Sequence, residues 1–273
     1  MTQKFFTTND DFKAIITRNL PKVNNIHQIE TGWTNFVFKV NSDGKIFYFR
    51  FPRNDFFSDA LVKEVKVTEF VKDKISLETP NLNLLFDAGR PYTMHEEIPG
   101  ESLTNCYADL TIEEKLTLAD DICLLLKQFE NISIAGKKNL QLVSNFLDNL
   151  AGVSQNNYDL KKHDAIKRCE KEKMVFSHGD FNQGNLILRN HKLVAVIDFS
   201  FAGISSGLVD VSRIAGRCPA EFKPILLAAY SKILRSVEQS DFDEIEQAWN
   251  YVDSQYILYI KQNHPEIKLS SIA

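Results

Sequence analysis

The stretch MVFSHGDFNQGNLILRNHKLVAVIDFSFAG, residues 174–203, carries the densest pattern of the chain. A short apolar run ends at His178-Gly-Asp180, and Asn185 follows shortly afterwards. Two further apolar runs, separated by an Asn-His pair, lead to Asp198. Short apolar runs bounded by turn residues are typical of buried strands. The stretch therefore predicts a hairpin with polar side chains at the ends of its strands.

The spacing of these polar residues matches that of a catalytic loop. His178-Gly-Asp180-x-x-x-x-Asn185 has the spacing of the protein-kinase motif H-R-D-x-x-x-x-N, and Asp198-Phe199 stands where D-F-G is expected. Phosphoryl transfer relies on positioning and electrostatics, because the charge of its transition state lies on phosphoryl oxygens. We therefore expect Asp180 to orient an attacking hydroxyl, and Asp198 and Asn185 to bind Mg²⁺. His178 is expected to bond the loop backbone rather than to act as the base.

The chain before this stretch predicts a small antiparallel sheet with helices. Runs rich in Phe, Val, Ile and Tyr predict strands at 26–31, 35–40, 45–51, 84–87 and 92–96. Apolar residues at helical spacing predict helices at 10–18 and 58–74. The Asn-Ser-Asp-Gly sequence that ends at Gly44 predicts a hairpin turn.

The zone after the connector Glu97-Ile-Pro-Gly-Glu101 is mostly helical. Helices are predicted at 111–130, 140–150, 158–171, 220–237 and 242–262, and Thr111 with Glu114 forms a capping-box pattern. The order of elements is α+β rather than alternating βαβ, which argues against a Rossmann-type fold. We place the boundary in the connector, which gives lobes of residues 1–97 and 98–273.

The first zone also contains candidates for nucleotide binding. The segment Glu30-Thr-Gly-Trp-Thr-Asn lies between two predicted strands, as a phosphate-covering loop would, although an ordinary hairpin would also fit. Its candidate contacts are Gly32, Thr34 and Asn35. Arg50 on the third strand can supply the cation that phosphoryl transfer needs, and Glu64 in the next helix is its natural partner. Arg53 is an alternative cation. Both arginines could instead lie on a solvated strand face without binding a ligand.

Composition and charge indicate where the protein is expected to be located and which partners it is expected to lack. The chain has 273 residues, a formal net charge of -4 and a pI of about 5.9, so no overall field attracts nucleic acid. No apolar segment reaches the roughly 18 residues of a membrane span. The four cysteines form no CxxC pair, and the N-terminus lacks the basic and apolar regions of a signal peptide. We expect a reduced, cytoplasmic protein without a nucleic-acid or membrane partner.

These motifs resemble the aminoglycoside phosphotransferase and choline kinase superfamily. The family pattern HGDxxxxN corresponds to the loop of Asp180, and IDFxxA corresponds to Ile197-Asp198-Phe199-Ser-Phe-Ala202. The strand FYFRFPR resembles the nucleotide-facing strand of the family, and the order of motifs covers about residues 32–213. Asp210 is similar to a downstream aspartate of the family, although Ser-Ser-Gly stands where Gly-Asp-Pro is usual.

The resemblance implies a fold and a set of ligands. The fold would be two-lobed and protein-kinase-like, with a small antiparallel-sheet nucleotide-binding lobe and a larger helical lobe that carries the catalytic loop, the metal site and the acceptor pocket. ATP or GTP would be the phosphate donor and Mg²⁺ the metal. The hinge would lie near 94–98, where the backbone of Glu97 and Ile98 would bind the purine.

The acceptor is expected to be a small hydroxylated molecule, such as an amino sugar, an amino alcohol or a related metabolite. Carboxylates and aromatic rings near the last helix could hold a cationic acceptor. The candidate substrate contacts are Asp210, Glu238, Asp241 and Trp249. Acids also favour helix starts through the helix dipole, and the tryptophan could belong to the core, so a purely structural role remains open for this cluster.

Two alternatives remain open. A protein kinase acting on serine or threonine would normally carry A-P-E downstream of D-F-G, and no A-P-E follows Asp198. A pseudokinase, which is a nucleotide-binding regulatory module without turnover, would fit the glycine-poor loop and Arg50 in place of lysine. The joint presence of Asp180, Asn185 and Asp198 argues against it.

Overall fold

The computed structural model describes residues 9–30, 34–135, 140–142 and 174–263. The chain divides into two compact units. The first contains the chain up to Glu69 together with Pro80–Ile98, and the second contains Phe70–Thr79 together with the chain from Pro99 to the end of the described residues. The second unit includes 70–79 because the backbone of Glu78 bonds Val194 and Val196 of a strand in that unit.

The first unit is an antiparallel sheet with two helices. Its elements are α1 Asn9–Asn19, β1 Val23–Ile29, β2 Asn35–Ser42, β3 Lys45–Pro52, α2 Asp55–Val71, β4 Asn83–Asp87 and β5 Arg90–Glu96. The strand order is β1-β2-β3-β5-β4, and every pairing is antiparallel. The predicted strands and helices of this zone are confirmed.

The core of this unit lies between α1 and the sheet. Phe12 of α1 packs against Phe36, Phe38 and Phe51, with ring centroids 4.9–5.0 Å apart. The predicted turn between β2 and β3 is present, and both of its central residues, Asp43 and Gly44, have positive φ. That conformation matches the right-handed twist of the paired strands.

The second unit combines short sheets with helices. Its elements are β6 Glu101–Ser102, α3 Leu103–Cys106, α4 Ile112–Asn131, β7 Met174–Ser177, β8 Leu186–Arg189, β9 Lys192–Val196, β10 Gly203–Ser206, α5 Gly207–Arg217, α6 Phe222–Ile233 and α7 Gln239–Asn263. One sheet has the order β6-β8-β9, and β10 pairs with β7. The mixture of sheets and helices in the two units confirms the α+β class.

Local signals account for several of these elements. The capping box of α4 is present, because Thr111 Oγ1 accepts the Glu114 N–H and Glu114 Oε2 accepts the Thr111 N–H at 2.8 Å. Burying one apolar stripe of α4 then fixes its orientation in the core. The predicted turn between β8 and β9 is also present, with φ of 51° at Asn190 and 61° at His191.

Other predictions differ from the structure or lie outside it. No element was predicted for the segment 203–217, which forms β10 followed by α5, with Ser206 capping the helix through the Leu208 N–H. The helix predicted at 220–237 ends earlier, at Ile233. The helix predicted at 158–171, and that at 140–150 beyond residue 142, lie outside the described residues. Within the part that the structure describes, no helix is long and apolar enough to cross a membrane.

Candidate active site

His178 lies in the aromatic core of the second unit. Its side chain has no exposed surface, and its ring centre lies 4.7 Å from that of Phe199 and 5.6 Å from that of Phe181. His178 Nδ1 accepts the Asp180 N–H at 3.3 Å, so Nε2 is the protonated nitrogen and donates to the Ile197 carbonyl at 2.9 Å. The histidine therefore joins the loop of Asp180 to the strand end that precedes Asp198.

The loop between β7 and β8 turns sharply at Gly179. This glycine has φ of +81°, a conformation that side chains with a Cβ rarely adopt. The loop then folds back on itself, because the Asp180 carbonyl accepts Nδ2 of Asn182 at 3.0 Å and Nδ2 of Asn185 at 2.8 Å. The amide of Asn185 is thereby oriented by the backbone of the residue expected to meet the acceptor.

Asp198 follows β9 in a strained backbone conformation. Its φ is +65°, which is uncommon for a residue other than glycine and is found at functional sites. Asp198 Oδ1 accepts the Ser200 hydroxyl at 2.6 Å, and the Ile197 N–H donates to the Asn185 carbonyl at 3.0 Å. The second bond links the segments that carry Asn185 and Asp198, the two candidate metal ligands.

Asp210 in the first turn of α5 anchors the loop between β7 and β8. Its side chain is 4% exposed. Oδ1 accepts the Ser177 hydroxyl at 2.9 Å and the Gly179 N–H at 3.0 Å, while Oδ2 accepts the His178 N–H at 2.8 Å. Burial raises the pKa of Asp210, although these donors and His178 oppose the shift. Both oxygens are used by the loop, which favours a positioning role over the predicted substrate contact.

Asp180 belongs to a network of two carboxylates and two guanidiniums. Arg213 donates to Asp180 Oδ1 through Nε at 3.2 Å and Nη2 at 3.0 Å. The same guanidinium donates to Asp253 at 3.1 and 3.2 Å, and Asp253 also accepts from Arg217. The guanidinium carbon of Arg213 lies 4.5 Å from the ring centre of Trp249.

This network determines the charge of Asp180. Burial alone would raise the pKa of Asp180, but the charge and hydrogen bonds of Arg213 outweigh it and lower the pKa below the ordinary aspartate value. Burial likewise opposes the charge of Arg213, and Asp180 and Asp253 reverse that effect to raise its pKa. Both side chains are therefore ionised at neutral pH.

In the first unit, Arg50 of β3 and Glu64 of α2 form a buried ion pair. Arg50 Nη1 lies 2.6 Å from Glu64 Oε1, with the two side chains 13% and 1% exposed. The alternative cation, Arg53, stacks on Phe36 at 4.1 Å from the ring centre. Asn35 is buried and donates to Thr34 Oγ1 at 2.9 Å. Gly32 lies outside the described residues.

The predicted hinge residues follow β5. The Glu97 N–H donates to the Ile46 carbonyl at 2.8 Å. Its carboxylate accepts Lys39 Nζ at 2.8 Å and the Tyr48 hydroxyl at 2.9 Å, which holds the residue on the sheet. Ile98 is half-buried. Roles for Glu97 and Ile98 in binding a purine remain a prediction.

The other candidate substrate residues lie at or near α7. Glu238 is exposed just before the helix, and its carbonyl accepts the Asp241 N–H at 3.0 Å. Asp241 is buried in the first turn, and Trp249 is 4% exposed beneath Arg213. Only Trp249 of these three has a described contact with the network around Asp180.

The model of the phosphotransferase enzyme family (APH) matches residues 25–240. The chain belongs to this family. The match spans the Arg50–Glu64 pair, the loop of Asp180 and the segment of Asp198 and Asp210. None of the curated proteins matches this phosphotransferase.

Solved structures resemble the phosphotransferase over nearly its whole length. The GDP complex of wild-type aminoglycoside 2'-phosphotransferase-IIIa has a TM-score of 0.75 and 14% identity, covering 96% of this chain and 95% of that chain. The GDP and kanamycin complex of APH(2")-IIia has a TM-score of 0.73 and 16% identity, covering 95% of each chain. Macrolide 2'-phosphotransferase MphH from Brachybacterium faecium has a TM-score of 0.66 and 14% identity, covering 93% of each chain.

These matches confirm the predicted family and the protein-kinase-like fold, and the protein is an enzyme of the kinase type. The sequence pattern did not single out Arg213 as a site residue. Arg213 stands one helical turn after Asp210, so recognising α5 would have placed the two on one side of the helix. Asp253 could not have been paired with it from spacing, because 40 positions separate them.

Proposed function

We propose that this phosphotransferase is a small-molecule kinase that moves the γ-phosphate of ATP or GTP to a hydroxyl of an amino sugar, an amino alcohol or a related metabolite. Asp180 orients the acceptor hydroxyl and accepts its proton. Because both Arg213 contacts fall on Oδ1 of Asp180, its Oδ2 is the oxygen that we assign to the hydroxyl.

The observation that carries this proposal is the bonding between the catalytic segments. His178 joins the Asp180 N–H to the Ile197 carbonyl, and Asn185 joins the Asp180 carbonyl to the Ile197 N–H. Two separate connections thus hold Asp180 relative to Asp198. Catalysis by positioning needs such rigidity, because small displacements of a reacting group cost large factors in rate.

Asp198 and Asn185 are the residues that would hold Mg²⁺. Their carboxylate and carboxamide oxygens are hard donors of the kind that Mg²⁺ prefers, so the residues fit the metal. The amide nitrogen of Asn185 donates to the Asp180 carbonyl, which directs Oδ1 away from that bond. When bound, the ion would neutralise charge on the transferred phosphoryl group.

The Arg50–Glu64 pair supports nucleotide binding. Glu64 is almost fully buried and fixes the guanidinium of Arg50 on β3, as a phosphate-binding cation requires. Arginine offers a planar fork rather than the point charge of lysine, which suits two phosphoryl oxygens at once. Thr34 and Asn35 would approach the phosphates from the preceding loop, and the backbone of Glu97 and Ile98 would meet the purine.

A panel assay tests the proposal. The purified protein is incubated with Mg²⁺ and ATP or GTP against aminoglycosides, macrolides, choline, ethanolamine, homoserine, amino sugars and nucleosides, and nucleoside diphosphate release is measured. We expect Asp180→Asn to lower the acceptor-dependent rate by about 10²–10⁴-fold, and Asp198→Ala to abolish it. Asp120→Asn is the matched control, because Asp120 lies on α4 and pairs with Lys232 at the surface.

The outcomes separate the proposal from its alternatives. Release that depends on one acceptor and is lost in both variants supports the kinase and names its substrate class. Nucleotide binding without transfer to any acceptor would favour a pseudokinase module. Failure to bind either nucleotide would contradict the proposal as a whole.

A further inference from the structure

Arg213 is the side chain with the closest described charge contact to Asp180. It comes from α5, one turn after the anchoring Asp210, and its side chain is 11% exposed. Its bonds to Asp180 and Asp253 use Nε, Nη1 and Nη2, so the guanidinium plane is fixed between two carboxylates. Trp249 packs under that plane, with its ring centre 4.5 Å from the guanidinium carbon.

The network is electrically balanced by its own members. Asp180 and Asp253 supply two negative charges, and Arg213 and Arg217 supply two positive ones. Asp243 and Glu246, which precede Asp253 on α7, share one cation, since Lys223 Nζ lies 2.9 Å from each of them. Within the network itself, the two carboxylates therefore carry no net excess of negative charge that would attract a cationic ligand.

We propose that Arg213 determines the acceptor class of this enzyme: the substituent beside the phosphorylated hydroxyl is uncharged or anionic, and an ammonium at that position is rejected. The inference rests on the proposed function, because it assumes that the acceptor hydroxyl meets Asp180. A charged amine elsewhere on the acceptor is compatible with it.

The physical reason is the distance between the two charges. A hydroxyl that bonds Asp180 brings its neighbouring substituent within a few ångströms of a guanidinium that itself lies 3.0 Å from the same carboxylate. An ammonium there meets a like charge in a poorly solvated site, whereas a hydroxyl, amide or carboxylate can accept an N–H from Arg213 or Arg217. Specificity then arises from a repulsive element as much as from an attractive one.

The test compares matched acceptors. The best acceptor from the panel is paired with analogues in which only the substituent next to the phosphorylated carbon is changed among ammonium, N-acetyl, hydroxyl and carboxylate. Smaller sets are ethanolamine, ethylene glycol and glycolate, and glucosamine, glucose and N-acetylglucosamine. We expect kcat/KM of the native enzyme for the ammonium member to be lower by at least about 10-fold than for its best neutral or anionic partner.

Variants assign the effect to Arg213. Arg213→Gln leaves the network with excess negative charge, so the ratio of kcat/KM for ammonium to that for neutral acceptors should rise by about 10-fold or more. The change should appear mainly in KM, because it alters binding of the acceptor. Arg213→Lys keeps the positive charge but loses the planar set of N–H donors, so it should lower kcat. It should hold the ratio of kcat/KM for ammonium to that for neutral acceptors within about 3-fold of the native value. Lys232→Gln, which removes a surface cation of the same unit, is the control.

Each outcome decides the inference. A native preference for neutral or anionic members that Arg213→Gln erases and Arg213→Lys retains supports it. A native preference for the ammonium members overturns the inference and leaves the kinase function standing, as does an unchanged ratio in a folded Arg213→Gln protein. If Arg213→Gln fails to fold, the Arg213→Lys ratio decides. Phosphorylation of no acceptor at all overturns the proposed function and the inference with it.

Discussion

Asp210 holds Gly179 in place: its Oδ1 accepts the Gly179 N–H at 3.0 Å, although 31 positions separate the two residues. The glycine sits in a left-handed turn immediately before Asp180. A buried carboxylate on a helix is thus the support for the loop that carries the proposed acceptor-orienting residue.

Replacing Asp210 should weaken both the fold and the reaction. Asp210→Ala leaves the donors of Ser177, His178 and Gly179 unsatisfied in the core, and we expect a loss of about 2–4 kcal/mol in the free energy of unfolding. The transfer rate should fall by at least about 10-fold under conditions where the variant stays folded. Urea unfolding and steady-state kinetics measure the two effects, with the exposed Asp109→Asn as control. Unchanged stability would contradict the anchoring role.

Removing one charged partner of the Arg50–Glu64 pair should lower the stability of the fold. Glu64→Gln removes the described counter-charge of Arg50 at a site where the Glu64 side chain is 1% exposed, and we expect a loss of about 3 kcal/mol in the free energy of unfolding. The nucleotide affinity should fall as well. Glu96→Gln breaks a pair with Lys45 at the exposed sheet surface, so it should cost less than about 1 kcal/mol. Equal losses in the free energy of unfolding for Glu64→Gln and Glu96→Gln would show that burial of the Arg50–Glu64 pair does not increase its contribution to stability.

His95 predicts a pH dependence of stability. Burial, followed by the charge of Arg50, lowers the pKa of His95 from 6.5 to about 3. The unfolded chain then binds more protons at this residue than the folded chain between these values. Stability should therefore decrease as the pH falls from about 6.5 towards 3, by up to about 1.4 kcal/mol per pH unit from this group. Unfolding of the native protein and of His95→Gln at several pH values measures the slope, and identical slopes would exclude the effect.

The start of α4 offers a local test. Thr111→Ala removes the hydroxyl that accepts the Glu114 N–H, and we expect a loss of about 1 kcal/mol in the free energy of unfolding. Thr111→Ser retains the hydroxyl and should stay within about 0.5 kcal/mol of the native protein. Thermal unfolding of the three proteins measures both changes. A Ser variant as unstable as the Ala variant would assign the effect to lost methyl packing instead of capping.

Sequence patterns were sufficient to predict structure where the interacting residues lie close together in the chain. Alternating and apolar runs predicted the sheet of the first unit, because strand periodicity reports which faces are buried. The spacing from His178 to Asp198 predicted their grouping, since one hairpin joins the two ends. The Arg50–Glu64 pair could be anticipated because strand and helix follow each other directly.

One helix of the site, α5, was not predicted because its local signals are weak. Residues 205–207 depart from the Gly-Asp-Pro of the family and no helix was predicted after them, yet Ser206 caps a helix that begins at Gly207. Once helical, this segment places Asp210 towards the catalytic loop and Arg213 towards Asp180.

By itself, the sequence determined the α+β class, the family and the order of its proposed catalytic groups, because each depends on motifs and periodicities a few residues long. Tertiary structure alone decided what surrounds those groups. Arg213 meets Asp180 across 33 positions and Asp253 across 40, and the buried Asp210 bonds the loop that carries Asp180. Such pairs form when separate helices pack around a common core, and no local pattern specifies which side chains then lie within bonding distance.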